Sequence, residues 1–255
     1  MKLIENIGDV FNRNSAKLSD KILINYINRL SEIGFFAIDL GLFDLNNTML
    51  LKKTDGFINS IDKAKTKIYI RVSDEKNFFK ALDIDNIDFI EISSNLIYLV
   101  ENLNSLQKEK IVVRINIDFS NGELIILNQI DTEIDVLYNN KIYAVKFSNE
   151  NSLLDLDIVK NVFDFCDKNF PGLSSGGHFY LNNDMVIKEL FMLLNSLKCK
   201  FLEVSTDGRV SNNFGFLPPT EKILTFLADK NTNFKFNMLS FESSYNEAKK
   251  IFSRS

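Results

Sequence analysis

The sequence predicts a parallel (β/α)8 barrel, on three observations. Six short apolar runs, FAIDLG, IYIRVS, FIEISS, VVRINI, YAVKFS and FLEVST, each carry one charge near their centre: Asp39, Arg71, Glu91, Arg114, Lys146 and Glu203. Amphipathic helical segments separate these runs. The length, 255 residues, matches the roughly 250 used by a one-domain barrel of this kind. Strands of a parallel sheet covered on both faces normally read as unbroken hydrophobic runs, so a charge in mid-strand has to face a polar lumen or meet a partner. Placing each charge inward turns Ile38, Leu40, Ile70, Val72, Ile90 and Ile92 outward onto the helices. The same alternation turns Val113, Ile115, Val145, Phe147, Leu202 and Val204 outward.

LIENI reads as the first strand. SDKILINYINRLSEIG follows as a helix, with Ser19 as N-cap, Ile22, Leu23, Tyr26, Ile27, Leu30 and Ile33 at helical spacing, and Gly34 as its stop. The rhythm continues with KTDGFINSIDKAKTK before IYIRVS, EKNFFKALDI before FIEISS, and LIYLVENLNSLQKEK before VVRINI. Between Ser120 and Asn140, GELIILNQIDTEIDVLYNN allows a short helix and an additional strand. DLDIVKNVFDFCDKNF leads into GLSSGGHF, and MVIKELFMLLNSLKCK leads into FLEVST. Counting LIENI and GLSSGGHF with the charged runs makes eight strands alternating with helices. After Pro219, EKILTFLADK and SSYNEAKKIF are amphipathic helices, with FKFNMLSF between them as a candidate strand. One domain spans 1–255, its last helices, 219–255, completing the helical layer.

Composition narrows the function classes. An apolar content of 45% supports a full core, and the net charge of −4 comes without a basic block or an RNA-type aromatic motif, which argues against nucleic acid. No stretch reaches the roughly 18 apolar residues of a membrane helix, and MKLIENIGDV lacks a signal-peptide core, so a cytoplasmic protein that does not enter membranes is expected. Cys166 and Cys199 stand far apart, without metal or redox spacing, and read as buried small apolar residues.

In barrels of this kind the reactive end is the carboxyl-terminal end of the strands. The residues to weigh there include Arg71, Arg114 with Asn116, Lys146, His178, and Glu203 with Ser205. Arg71, Arg114 and Lys146 on neighbouring strands suit a small carboxylate metabolite, with Asn116 and Ser205 as further substrate contacts. Pairing of Asp39 with Arg71 and of Glu91 with Arg114 in a lumenal salt-bridge layer explains the same charges without a ligand. Lys146 is harder to match: its nearest charged neighbour in chain order is Arg114, and a lysine beside another cation has the depressed pKa used in Schiff-base or general-base chemistry. His178, the only histidine, follows SSGG at a strand end, where a general base or a metal ligand is useful. Lys146, His178 and Arg71 are therefore the catalytic candidates. Asn182 and Asn183 read as caps of the next helix.

With the strands placed, the chain resembles the metal-dependent aldol and Claisen condensing barrels that include homocitrate synthase, isopropylmalate synthase and hydroxymethylglutaryl-CoA lyase. IENIGDVF followed by KLSDKILINYINRLSEIGFFAIDLG resembles the family's DTTLRDGE segment, its serine-capped helix and IEVG. GGHFYLNNDMVIKELFMLLNSLKCKFLEVST resembles the strand bearing HxHND with the helix and strand after it. DGRVSNNFGFLPPTEKILTFL is similar to the glycine-rich loop near GxGERAGNxPLEE. The resemblance implies a carbon–carbon lyase or acyltransferase acting on a small 2-oxo acid or acyl-CoA. It also implies a divalent metal, with Asp9 in the place of the metal-binding aspartate and Asn213, or Asn212, near that of the last asparagine ligand. Gly8 replaces the family's catalytic arginine, and ungapped spacing sets Phe179 and Leu181 at the two histidine positions, His178 being one residue out. A degraded metal site is therefore expected. The alternative is a non-catalytic or regulatory homologue, either self-associating or the partner subunit of an intact condensing enzyme.

Overall fold

The computed structural model describes residues 1–8, 19–44, 54–62, 66–142, 144–229 and 236–252. Eight parallel strands, β1 (Lys2–Asn6), β2 (Ala37–Phe43), β3 (Lys67–Val72), β4 (Phe89–Ser93), β5 (Ile111–Asn116), β6 (Ala144–Ser148), β7 (Ser174–His178) and β8 (Phe201–Val204), pair in chain order. β8 closes on β1, so the sheet is a barrel without edges. These are the six charged runs together with LIENI and GLSSGGHF, the eight strands expected from the sequence. All twelve residues expected to point outward are buried in the core beneath the helices.

The helices are α1 (Asp20–Ser31), α2 (Thr54–Asn59), α3 (Glu75–Leu82), α4 (Ser105–Glu109), α5 (Glu123–Asn139), α6 (Leu156–Asn169), α7 (Met185–Ser196), α8 (Thr220–Asp229) and α9 (Met238–Phe252). Capping follows sequence chemistry. Asp74 accepts from the Asn77 amide at the start of α3, Asp155 from the Asp157 and Ile158 amides at α6, and Asn183 from the Met185 and Val186 amides at α7. Ser19 precedes α1 but makes no side-chain cap bond, while Gly34 beyond its end adopts φ +106°. Cys166 and Cys199 are buried, and burial pushes both thiols up to about 12.

Four local expectations change. The Ser120 to Asn140 stretch forms one 17-residue helix, α5, without an additional strand, because Ile126, Ile130, Ile134 and Leu137 bury a single stripe at helical spacing. The segment before β5 is split into a 3-10 helix, Ser94–Val100, and α4, which starts at a capping box between Asn104 and Gln107. Within FKFNMLSF, residues from Met238 onward form the first turn of α9, which packs on α1 through Phe252 and Tyr26, ring centroids 5.6 Å apart. A hairpin of β9 (Ser211–Asn212) and β10 (Gly215–Phe216) also forms after β8, and Phe216 exchanges backbone hydrogen bonds with Leu181.

Glu5 fastens the β8–α8 connection to β1. Its carboxylate is fully buried and accepts from the Thr206 amide at 2.7 Å, the Thr206 hydroxyl at 2.6 Å and the Thr220 hydroxyl at 2.6 Å. Burial outweighs those hydrogen bonds and pushes its pKa up to about 7. A carboxyl raised in the folded state keeps its proton longer there than in the unfolded chain. Its contribution is therefore fully present below the ordinary value of 4.5 and is lost as the pH rises to about 7. The gap corresponds to roughly 3 kcal/mol. Glu5→Gln, which imitates the protonated group, is expected to flatten the fall in stability between about pH 4.5 and 7. Urea unfolding across that range checks this, and an unchanged slope in the variant would exclude Glu5 as its source.

Candidate functional site

Period-two alternation delivers the mid-strand charges to the lumen. Ile4, Ala37, Tyr69, Val112 and Phe201 form a small apolar cluster toward its amino-terminal end. Above it sit Asn6, Asp39, Arg71, Glu91, Arg114, Lys146, His178 and Glu203: Asn6 pairs in register with Asp39, Arg71 with Glu91 and Arg114 with Lys146, while Asp39 and Arg71, Glu91 and Arg114, and Lys146 and His178 are offset by two residues. Asp39, Glu91, Lys146, His178 and Glu203 are buried, while the Arg71 and Arg114 side chains retain 11% and 18% exposure and mark the accessible side of the site.

The expected pairs form. Arg71 Nε lies 3.3 Å from Asp39 Oδ2, and Arg114 Nε lies 3.1 Å from Glu91 Oε1. Arg114 also pairs with Glu150 at the rim. Lys146 is not left over: Nζ pairs with both Glu91 and Glu203 and lies 4.8 Å from the centroid of the Tyr69 ring. The Tyr69 hydroxyl donates to Glu91, and the Asn6 amide donates to Glu203 and, at 3.2 Å, to Asp39. His178 Nδ1 lies 2.8 Å from Glu203 Oε2, at ion-pair distance but outside hydrogen-bond geometry. His178 Nε2 is buried without a hydrogen-bond partner.

Burial raises the pKa of each lumenal acid, and neighbouring cations settle the outcome. At Glu91, Lys146 and Arg114 overcome burial and hold the carboxyl below its usual range. At Glu203, His178 and Lys146 hold it well below. At Asp39, Arg71 opposes burial without overcoming it and Glu203 adds to it, so the pKa is pushed up to about 8. Burial lowers the pKa of Lys146, but Glu203 and Glu91 outweigh it and raise the ammonium above the usual lysine range. The depressed pKa expected beside Arg114 is thus reversed. Chain order reveals the neighbour on β5, whereas barrel closure brings Glu203 of β8 to Lys146 of β6 across the lumen. A lysine held as a cation stabilises negative charge and does not act as a free amine.

The other candidates have local roles. Asn116 Oδ1 accepts from the Glu150 amide at 2.9 Å, and Ser205 Oγ accepts from the Val210 amide at 3.2 Å, so each pins a loop at the strand ends. Asn213 is exposed on the β9–β10 turn, and Asp9 lies outside the described residues. Phe179 and Leu181 belong to the outer core, and His178 and Tyr180, with rings 4.9 Å apart and edge-to-face, are the neighbouring pair on the other side of the chain. Among the described residues, no cluster of three His, Cys, Asp or Glu side chains is arranged for a metal ion. Gly8 packs against Gly41, whose φ is +89°; a Cβ on Gly8 would lie 2.0 Å from the Gly41 Cα.

Sequence reasoning passed over Asn6, Tyr69 and Glu150. Tyr69 was within reach, because it stands two residues before Arg71 on the same face of β3. Asn149 accepts from the Tyr180 amide at 2.7 Å and donates to the Tyr180 carbonyl at 2.9 Å, joining the β6 and β7 ends.

No family model matches the chain, and no curated protein does. Solved structures do match. An HMG-CoA lyase from Acinetobacter baumannii in complex with coenzyme A and 3-methylmalate superposes with a TM-score of 0.80 at 12% identity, over 99% of this chain and 91% of that one. Hydroxymethylglutaryl-CoA lyase from Pseudomonas aeruginosa gives 0.78 at 11% identity, over 100% and 93%. The carboxyl transferase domain of Rhizobium etli pyruvate carboxylase with 3-bromopyruvate gives 0.75 at 10%, over 99% of this chain and 47% of that one. The fold is that of the HMG-CoA-lyase-like barrels. At these identities the likeness concerns the scaffold, and the chemistry must be argued from the site. No helix among the described residues is long and apolar enough to cross a membrane.

Proposed function

We propose that this barrel cleaves or forms a carbon–carbon bond in a small 2-oxo acid or acyl-CoA substrate, with His178 and Glu203 carrying the proton transfer. The observation that carries this reading is His178 at the end of β7. Its Nδ1 faces Glu203 at 2.8 Å, while Nε2 is buried with no hydrogen-bond partner. An imidazole with a carboxylate 2.8 Å from one nitrogen and no hydrogen-bond partner on the other is suited to general acid–base work. In the cleavage direction, Nε2 takes the proton of the substrate hydroxyl as the adjacent carbon–carbon bond breaks. The electron pair passes into the enolate of the departing fragment. Arg71 and Arg114, the partly exposed cations, meet the substrate carboxylate and the developing negative charge. Lys146 holds Glu203 ionised behind the imidazole. The 3-methylmalate in complex with the A. baumannii lyase is a hydroxy dicarboxylic acid of the size this reading calls for.

A second reading has an observation of its own. The lumen sets Asp39, Glu91 and Glu203 against Arg71, Arg114 and Lys146, and Gly8, which the resemblance aligns with the family's arginine, is packed against Gly41. Such a compensated lumen also suits a non-catalytic homologue, acting as the partner subunit of an intact condensing enzyme.

The deciding experiment incubates the protein with 3-hydroxy acids, 4-hydroxy-2-oxo acids and their coenzyme A esters, and follows 2-oxo acid or thiol release. Turnover that falls by about 10²-fold or more in His178→Gln, with the melting temperature retained, is the expected result. Turnover unaffected by that change removes His178 from the reaction. Absence of turnover, together with co-purification on an intact condensing enzyme, replaces the first reading with the second.

A further inference from the structure

The opposite mouth of the barrel holds a cavity that the lumenal chemistry does not use. At the amino-terminal ends of the strands, Ile4, Phe36, Tyr69, Phe89, Val112 and Phe201 wall a cup of about 150 Å³. Phe36 and Phe89 lie 5.5 Å apart, and Phe89 is 6.1 Å from Tyr69, so much of the wall is aromatic. Three exposed lysines surround it. Lys2 Nζ is 4.1 Å from the centroid of Phe36, Lys67 Nζ is 5.2 Å from Phe36 and 5.0 Å from Phe89, and Lys200 lines the cup directly. Among the described residues, none of the three has a carboxylate within ion-pair distance. A second cavity of about 380 Å³ continues past the shared Ala144 and Ser174 to Lys108, Glu109 and Lys141. The mouth therefore combines a ring-sized apolar hole with a rim of three lysines outside any ion pair among the described residues.

We propose that this mouth is a second binding site, for a small carboxylate with a ring-sized apolar body, such as an aryl or medium-chain carboxylic acid. An apolar cavity of about 150 Å³ holds a benzene-sized group, which fixes the size of the apolar part. The anionic head meets Lys2, Lys67 and Lys200, where it relieves their mutual repulsion and leaves the ammonium groups in contact with the ring faces. The proposal does not depend on catalysis at the other mouth. Tyr69 is shared between the two ends, since its ring walls the cup and its hydroxyl serves Glu91, so it is left intact in the test.

Isothermal titration of the full chain with benzoate and hexanoate, against benzyl alcohol and 1-hexanol, tests the site. Both acids are expected to bind at least about tenfold more tightly than the alcohols, and added salt is expected to weaken them. The double variant Lys2→Gln, Lys67→Gln, altered only at exposed positions, should weaken acid binding by about tenfold or more. Ala144→Leu, which fills the shared wall, should abolish it. Arg114→Gln at the far mouth should leave it unchanged. Failure of both acids to bind overturns the proposal, as do alcohols binding equally well, or affinity that ignores the lysine pair and follows Arg114 instead.

Discussion

Lys146→Met is expected to lower the free energy of unfolding by about 3–5 kcal/mol. The ammonium is fully buried and neutralises Glu91 from β4 and Glu203 from β8 at once. Methionine keeps most of the stem and removes the charge, so the change tests ion pairing and not packing. Without the ammonium, two buried carboxylates share one lumen, and one of them has to take a proton. In the variant that acid's folded pKa rises above its unfolded value, so the deficit should shrink as pH falls toward 4.5. Adding Glu203→Gln should recover part of the loss, because it removes the second member of the repulsive pair. Urea denaturation of the single and double variants at two pH values measures both effects. A single-variant loss below about 1 kcal/mol would place the charge centre elsewhere.

Arginine at position 8, where the resemblance would set one, is expected to damage the fold. A Cβ there would sit 2.0 Å from the Gly41 Cα and 2.2 Å from its nitrogen, so two backbone segments would have to separate. Gly41 cannot easily adapt, since its φ of +89° is a conformation that favours glycine. Gly8→Ala should therefore cost at least about 3 kcal/mol, the upper end of the cost of overpacking, and Gly8→Arg should be no better. Thermal and urea unfolding of both variants would show it. A stable Gly8→Arg protein would mean that the two glycines are not locked together, and its turnover would then become the measurement of interest.

Much of the architecture was legible because it rests on local periodicity. The six charged runs are strands, and the residues flanking each charge point outward, since side-chain direction alternates along any strand. Helices α6 and α7 follow from their apolar spacing, and α7 also from the cap at Asn183. Misreadings arose where a segment satisfied two patterns. The apolar residues of α5 also allowed a strand, and the start of α9 read as β-forming until its contact with α1 chose the helix. The hairpin after β8 carried too few apolar residues to announce itself.

For the site, the residue types and their inward direction were set by sequence alone: Asp39, Arg71, Glu91, Arg114, Lys146 and Glu203 had to face a common space, and neighbouring opposite charges had to pair. Which groups meet across that space was decided only by closure of the barrel. Glu203 lies 57 residues from Lys146 in the chain and two strands away around the sheet, yet it supplies the charge that raises the lysine pKa. It also faces His178 and accepts from Asn6. Period-two alternation is a property of each strand by itself, whereas long-range pairs depend on strand order, register and the width of the lumen. Those emerge only when eight strands have closed on one another and burial has made every unpaired charge too costly to keep.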